Sequence, residues 1–70
     1  MTYDIEMIWD EEACVWCAVC DDIPIALESS SYDTLIDRVV MATPELLELN
    51  GKSTDSVILR FISNRFASIA

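Results

Sequence analysis

Three strand-like runs come before one helical stretch in this chain and one comes after it, and that order fixes most of what it can fold into. Tyr3–Asp10 alternates Tyr3, Ile5, Met7 and Trp9 with Asp4, Glu6, Ile8 and Asp10, the period of two that marks a half-buried strand. Ala13–Cys20 sets Cys14, Trp16, Ala18 and Cys20 against Val15, Cys17 and Val19. It is apolar on both sides, as a central strand covered on both faces is. The acidic stretch Asp10-Glu11-Glu12 is the turn between them. Asp21-Asp22-Ile23-Pro24 then leads to a short third run, Ile25–Glu28. Pro24 belongs at a strand start or edge, because it has no N–H to give to a ladder. The last run, Ser56–Ile62, opposes Val57, Leu59 and Phe61 to Ile58, Arg60 and Ile62.

The stretch between the third and last runs has helical spacing. Leu35, Val39, Ala42, Leu46 and Leu49 form a stripe that Ile36, Val40 and Leu47 widen, while Asp37, Glu45 and Glu48 lie on the other side. This predicts a helix over Tyr32–Asn50. Ser30 with Asp33, or Ser31 with Thr34, is its expected N-terminal cap. Pro44 either kinks the helix or restarts it with Thr43 as a second cap. Asn50-Gly51 is the stop, since Gly51 tolerates the left-handed conformation.

The whole chain, residues 1–70, therefore reads as a single α+β domain of order β-β-β-α-β. An antiparallel meander carries one helix on one face. The helix shields one side of the sheet, yet the strands bring apolar residues to both. The second side needs a partner.

Composition points the same way. A domain this small buries only about 60% of its unfolded surface, and 53% of its 70 residues are hydrophobic. Self-association into a homodimer or larger homo-oligomer, or a stable protein partner, is expected. Thirteen Asp and Glu against four Lys and Arg give a net charge of −9. Phosphate contacts need clustered cations, so direct nucleic-acid binding is not expected. A basic protein would be drawn to this surface; the plainer role of the charge is solubility. The first twenty residues hold five acids and no basic start, so no signal peptide is expected. No apolar run reaches the ~18 residues of a membrane span. The expected location is cytoplasmic.

Chemistry-bearing motifs are sparse. Cys14, Cys17 and Cys20 have a spacing used in iron–sulfur loops. The fourth cysteine and the glycines are missing, and there is no histidine to complete a zinc site. On a strand Cys17 would point away from the other two. Buried free thiols acting as small hydrophobes are expected, with no metal and no cofactor. Without histidine no Ser-His or Cys-His pair exists. Asp10, Asp21, Asp22, Glu28 and Asp33 are a remote candidate set for a metal-dependent nuclease, but turn and cap roles explain them. No catalytic residue is expected. Trp9 and Trp16 sit on neighbouring strands of the first hairpin, where they share a face as core or as a partner-facing aromatic pair.

Tyr3–Gly51 also resembles the HicB-like antitoxin domain in its short bacterial form. The resemblance rests on the acidic turn and second strand within Trp9–Pro24, on Ser31-Tyr32-Asp33-Thr34-Leu35, and on Ala42–Gly51 at the helix end. It implies a partial ribonuclease-H-like fold that neutralises a small basic ribonuclease toxin by covering its surface. The partner-facing residues would be Trp9, Asp10, Glu11, Glu12, Asp21, Asp22 and Glu28. Two departures stand out. Ile25 follows Pro24 where the family usually has glycine, and residues 52–70 offer no DNA-binding module, so operator binding is not expected. A self-associating domain with another regulatory role is the alternative.

Overall fold

In the computed structural model, which describes residues 1–69, the elements follow as β1 (Thr2–Asp10), β2 (Val15–Val19), β3 (Ala26–Ser29), α1 (Tyr32–Leu49) and β4 (Ile58–Asn64). The α+β class and the β-β-β-α-β order agree with the sequence. The sheet order is β3-β2-β1-β4. β1, β2 and β3 form the antiparallel meander, and β4 returns parallel to β1 on its far side. The sheet is thus mixed, a point on which strand periodicity is silent.

The core lies between α1 and one face of the sheet. Tyr3, Ile5 and Met7 of β1, Ala18 of β2, and Leu35, Val39 and Leu47 of α1 are all buried. Alternation drives this: every second residue of β1 points toward the helix, and Asp4, Glu6 and Ile8 point away. Ile23 and Ile25 join the core from the connector before β3. The Ile25 N–H reaches back to the Ile23 carbonyl at 2.7 Å, a three-residue turn centred on Pro24. That turn aims both isoleucines inward and delays β3 by one residue relative to the expected Ile25 start. Truncating Leu35, with no exposed surface, would cost about 3 kcal/mol.

The helix has recognisable ends. The Ser31 hydroxyl accepts from the Thr34 N–H at 3.3 Å, so Ser31 rather than Ser30 is the cap. At the other end Gly51 takes φ +68°. The Lys52 N–H bonds the Leu47 carbonyl and the Gly51 N–H bonds the Glu48 carbonyl, a Schellman closure. α1 runs through Pro44 without restarting. Thr43 is no cap: its hydroxyl donates to the Val39 carbonyl at 2.6 Å from a buried position. The buried stripe is Leu35, Val39, Thr43 and Leu47. Val40 and Leu49, expected in the stripe, are exposed. Thr43 can stand at the centre of the stripe because its hydroxyl is satisfied inside the helix itself.

The first turn is longer than expected. Glu11, Glu12, Ala13 and Cys14 all lie in it. The Asp10 carboxylate accepts from the N–H groups of Glu12 and Ala13 at 3.1 and 3.2 Å, and Cys14 closes the turn at φ +54°. Cys14 is therefore exposed and off the strand, while Cys17 and Cys20 are half-buried. The expectation of three buried thiols fails because an aspartate-centred turn draws two more residues out of β2.

Candidate functional site

The face of the sheet turned away from α1 is the open one. Its rows follow from the register. Asp4 stands beside Arg60. Glu6 lies between Ile62 and Val19. Ile8 faces Cys17, and Cys17 faces Glu28. Asp10 faces Val15. Aliphatic and acidic side chains alternate across this surface. Ile8, Ile58 and Ile62 remain 46%, 63% and 41% exposed. A central strand covered on both sides was expected for β2; its central position holds, but Val15, Cys17 and Val19 are only half-buried, because among the described residues no element packs over them.

Several hollows mark this face, and two of them hold sequence-derived acids. One, at the end of the first hairpin, is lined by Ile8, Trp9, Asp10, Glu11, Glu12 and Cys17. The other is lined by Asp4, Glu6, Val19, Cys20, Asp21 and Ile62. The sequence-derived set is thus divided. Trp9, Asp10, Glu11 and Glu12 meet in the first hollow, and Glu28 reaches its margin through Cys17. Asp21 belongs to the second hollow, at the other end of β2. Asp22 is exposed in the connector and lines neither.

Trp9 belongs by alternation to the helix side of β1, but it stands past the core. Its indole N–H donates to a Glu11 carboxylate oxygen at 2.8 Å, which ties the ring to the acidic turn. Trp16 lies opposite it on β2 and packs edge-on against both Trp9 and Tyr32. The two tryptophans share a face. The Arg65 guanidinium sits 4.1 Å from the centre of the Trp9 ring. Nothing in the sequence pairs residues 9 and 65; the contact exists only because parallel pairing brings the end of β4 beside the end of β1.

The chemistry available is that of a surface. Burial, with the nearby Glu28 and Asp10 carboxylates, pushes the Cys17 thiol above its ordinary range, the reverse of what a nucleophile needs. Asp4 is held below the usual carboxylate range by its two-point hydrogen bond with Arg60, at 2.8 and 2.9 Å. Among the described residues no three His, Cys, Asp or Glu side chains converge as metal ligands would. No helix among them is long and apolar enough to cross a membrane.

A family model described as a domain of unknown function, DUF1902, matches residues 2–69. The chain belongs to this family. It is also similar to a hypothetical protein of the extremely thermophilic bacterium Thermus thermophilus, known from a crystal structure. The two are 35% identical, with 99% of this chain and 100% of that chain covered, at a TM-score of 0.86. No curated protein matches this DUF1902 chain.

Proposed function

We propose that this domain is a non-catalytic protein-binding module of the HicB antitoxin type. It covers a small basic ribonuclease toxin with the hairpin end of its open face. One observation carries the reading: Asp10, Glu11 and Glu12 share a hollow with Ile8, Trp9 and Cys17 on a chain of net charge −9. An apolar base with an acidic margin fits a cationic protein. The apolar atoms exclude water, and the carboxylates steer the partner and fix its orientation. Nucleic acid would be repelled by the same margin. A cytoplasmic setting suits the three free thiols.

The test is co-expression with the product of an adjacent small basic reading frame. The expected result is a complex that weakens as salt is raised. Replacing Glu11, Glu12 and Glu28 together by glutamine should weaken it by roughly tenfold or more. A genome with no such frame beside this gene, or a frame whose product neither binds nor is inhibited, removes the antitoxin role.

A further inference from the structure

β4 and the segment after it differ in charge from the rest of the molecule. From Ser56 to Ile69 there is no Asp or Glu, and Arg60 and Arg65 are both present, on a chain of net charge −9. The same stretch carries Ile58, Ile62, Phe66 and Ile69, which are 63%, 41%, 95% and 99% exposed. β4 is also an edge strand, so among the described residues one side of its backbone has no sheet partner.

The segment past β4 keeps the alternation of the strand. Arg65 lies over Trp9 on the helix side, while Phe66 shares a hollow with Ile8 and Ile62 on the open side. Phe66 thus continues the row begun by Ile58 and Ile62. The molecule is long for its size. Its radius of gyration is 13.3 Å, with extents of 49 × 19 × 18 Å, where a compact chain of this length has about 11 Å. That elongation agrees with a tail that runs past the sheet and buries little in its own chain. The tail is part of the shared fold, because the family match runs to residue 69 and the solved relative covers 99% of the chain.

We propose that a second copy of this chain docks along β4 and its tail. Charge selects the occupant. Two chains of net charge −9 repel one another least along the stretch that carries no acid of its own, and a basic partner gains least there, because Asp4 beside it on β1 is already paired with Arg60. Antiparallel pairing of the two β4 edges about Ile62 is self-complementary under a twofold axis. It sets Phe66 of each copy beside Ile58 of the other and satisfies edge N–H and C=O groups of both. This surface adjoins the acidic hairpin end at Ile8 and Trp9, which line both hollows, but Ile62 and Phe66 lie outside the first hollow, so substitutions there test the dimer apart from the toxin-binding reading.

Sedimentation equilibrium on the full chain tests it. The expected mass is twice the 7.9 kDa of one chain, with tighter association at high salt as the acids elsewhere are screened. Phe66→Asp, at a position with almost no intramolecular contact, should weaken the dimer by about tenfold or more while circular dichroism stays unchanged. Ile62→Asp should do the same. Met41→Asp, on the exposed side of α1 at 82% exposure, should leave the dimer intact. A single-chain mass at every concentration overturns the proposal. So does a dimer that survives Phe66→Asp, or one that Met41→Asp dissociates.

Discussion

Trp9 and Trp16 face each other directly across β1 and β2, with ring centroids 5.4 Å apart and planes at 60°. Trp16 makes a second edge contact with Tyr32, at 4.9 Å and 80°. The aromatic cluster therefore joins the hairpin to the first residue of α1, and Arg65 covers its outer end. The bond from Trp9 to Glu11 ties the acidic turn to this cluster.

Trp16 is the shared member of both aromatic pairs, so Trp16→Ala should destabilise the fold more than Trp9→Ala. About 3 kcal/mol is expected for Trp16, at the low end of the range for such truncations because the ring is only half-buried. Arg65→Ala removes a close cation–π contact to Trp9 and a longer one to Trp16, and should cost at most about 1 kcal/mol. Urea unfolding followed by circular dichroism ranks the three. Equal losses at residues 9 and 16 would contradict the linking role of Trp16.

Asp4 and Arg60 predict an acid-dependent contribution to stability. Their side chains are 51% and 64% exposed, and the pairing lowers the Asp4 pKa from an unfolded value of 3.8. A carboxyl depressed in the folded state stabilises above its unfolded pKa, and the contribution disappears as pH falls through the folded value. Wild type and Asp4→Asn should therefore differ in Tm at neutral pH and converge as pH falls below 3.8. The gap should also narrow in high salt. Melting curves across that range check the sign; a gap that widens on acidification contradicts it.

Pro44 interrupts the hydrogen-bond ladder of α1 at an exposed position. It has no N–H for the carbonyl of Val40, whose residue is 51% exposed and open to water. Pro44→Ala should raise stability by roughly 1–3 kcal/mol, part of the helical gain being offset by a freer unfolded chain. At the preceding residue the sign reverses. Thr43→Val removes the buried hydroxyl from the Val39 carbonyl and should cost about 1 kcal/mol or less, since that carbonyl keeps its ladder bond. Chemical denaturation of both variants gives the two signs directly.

Cys14 and Cys17 should react in a set order. Cys14 is exposed at φ +54°, while Cys17 is half-buried with its thiol pKa raised by burial and then by Glu28 and Asp10. A disulfide reagent near neutral pH should label Cys14 first and Cys17 slowly, because the thiolate is the reacting form. Glu28→Gln should speed Cys17. Cys14→Gly, which accepts positive φ freely, should raise stability by up to about 1 kcal/mol. Mass spectrometry of partly labelled protein checks the order, and Cys17 labelling first would contradict it.

The sequence by itself determined the class, the order of elements and which residues of each strand share a face, but not which face the helix covers. The reason is that alternation and helical spacing are local properties of the chain: Tyr3, Ile5 and Met7, or Leu35 and Val39, declare their side without reference to any neighbour. It also determined the strong acidity and the stop of α1 at Gly51, which acts within one turn of itself, while the cap stayed open between Ser30 and Ser31. What it left open needed distant residues. The parallel direction of β4 places Arg60 against Asp4 and Arg65 over Trp9, contacts between opposite ends of the chain. The two-sided apolarity of β2 announced a surface in want of cover, but only the register showed the acids divided between the two ends of that face. The shift of Cys14 out of β2 and the inward turn of Ile23 and Ile25 likewise depend on where a carboxylate and a proline set the backbone in space. Periodicity reports which way a side chain faces along its own element; which elements meet, and in what direction, is settled by packing alone.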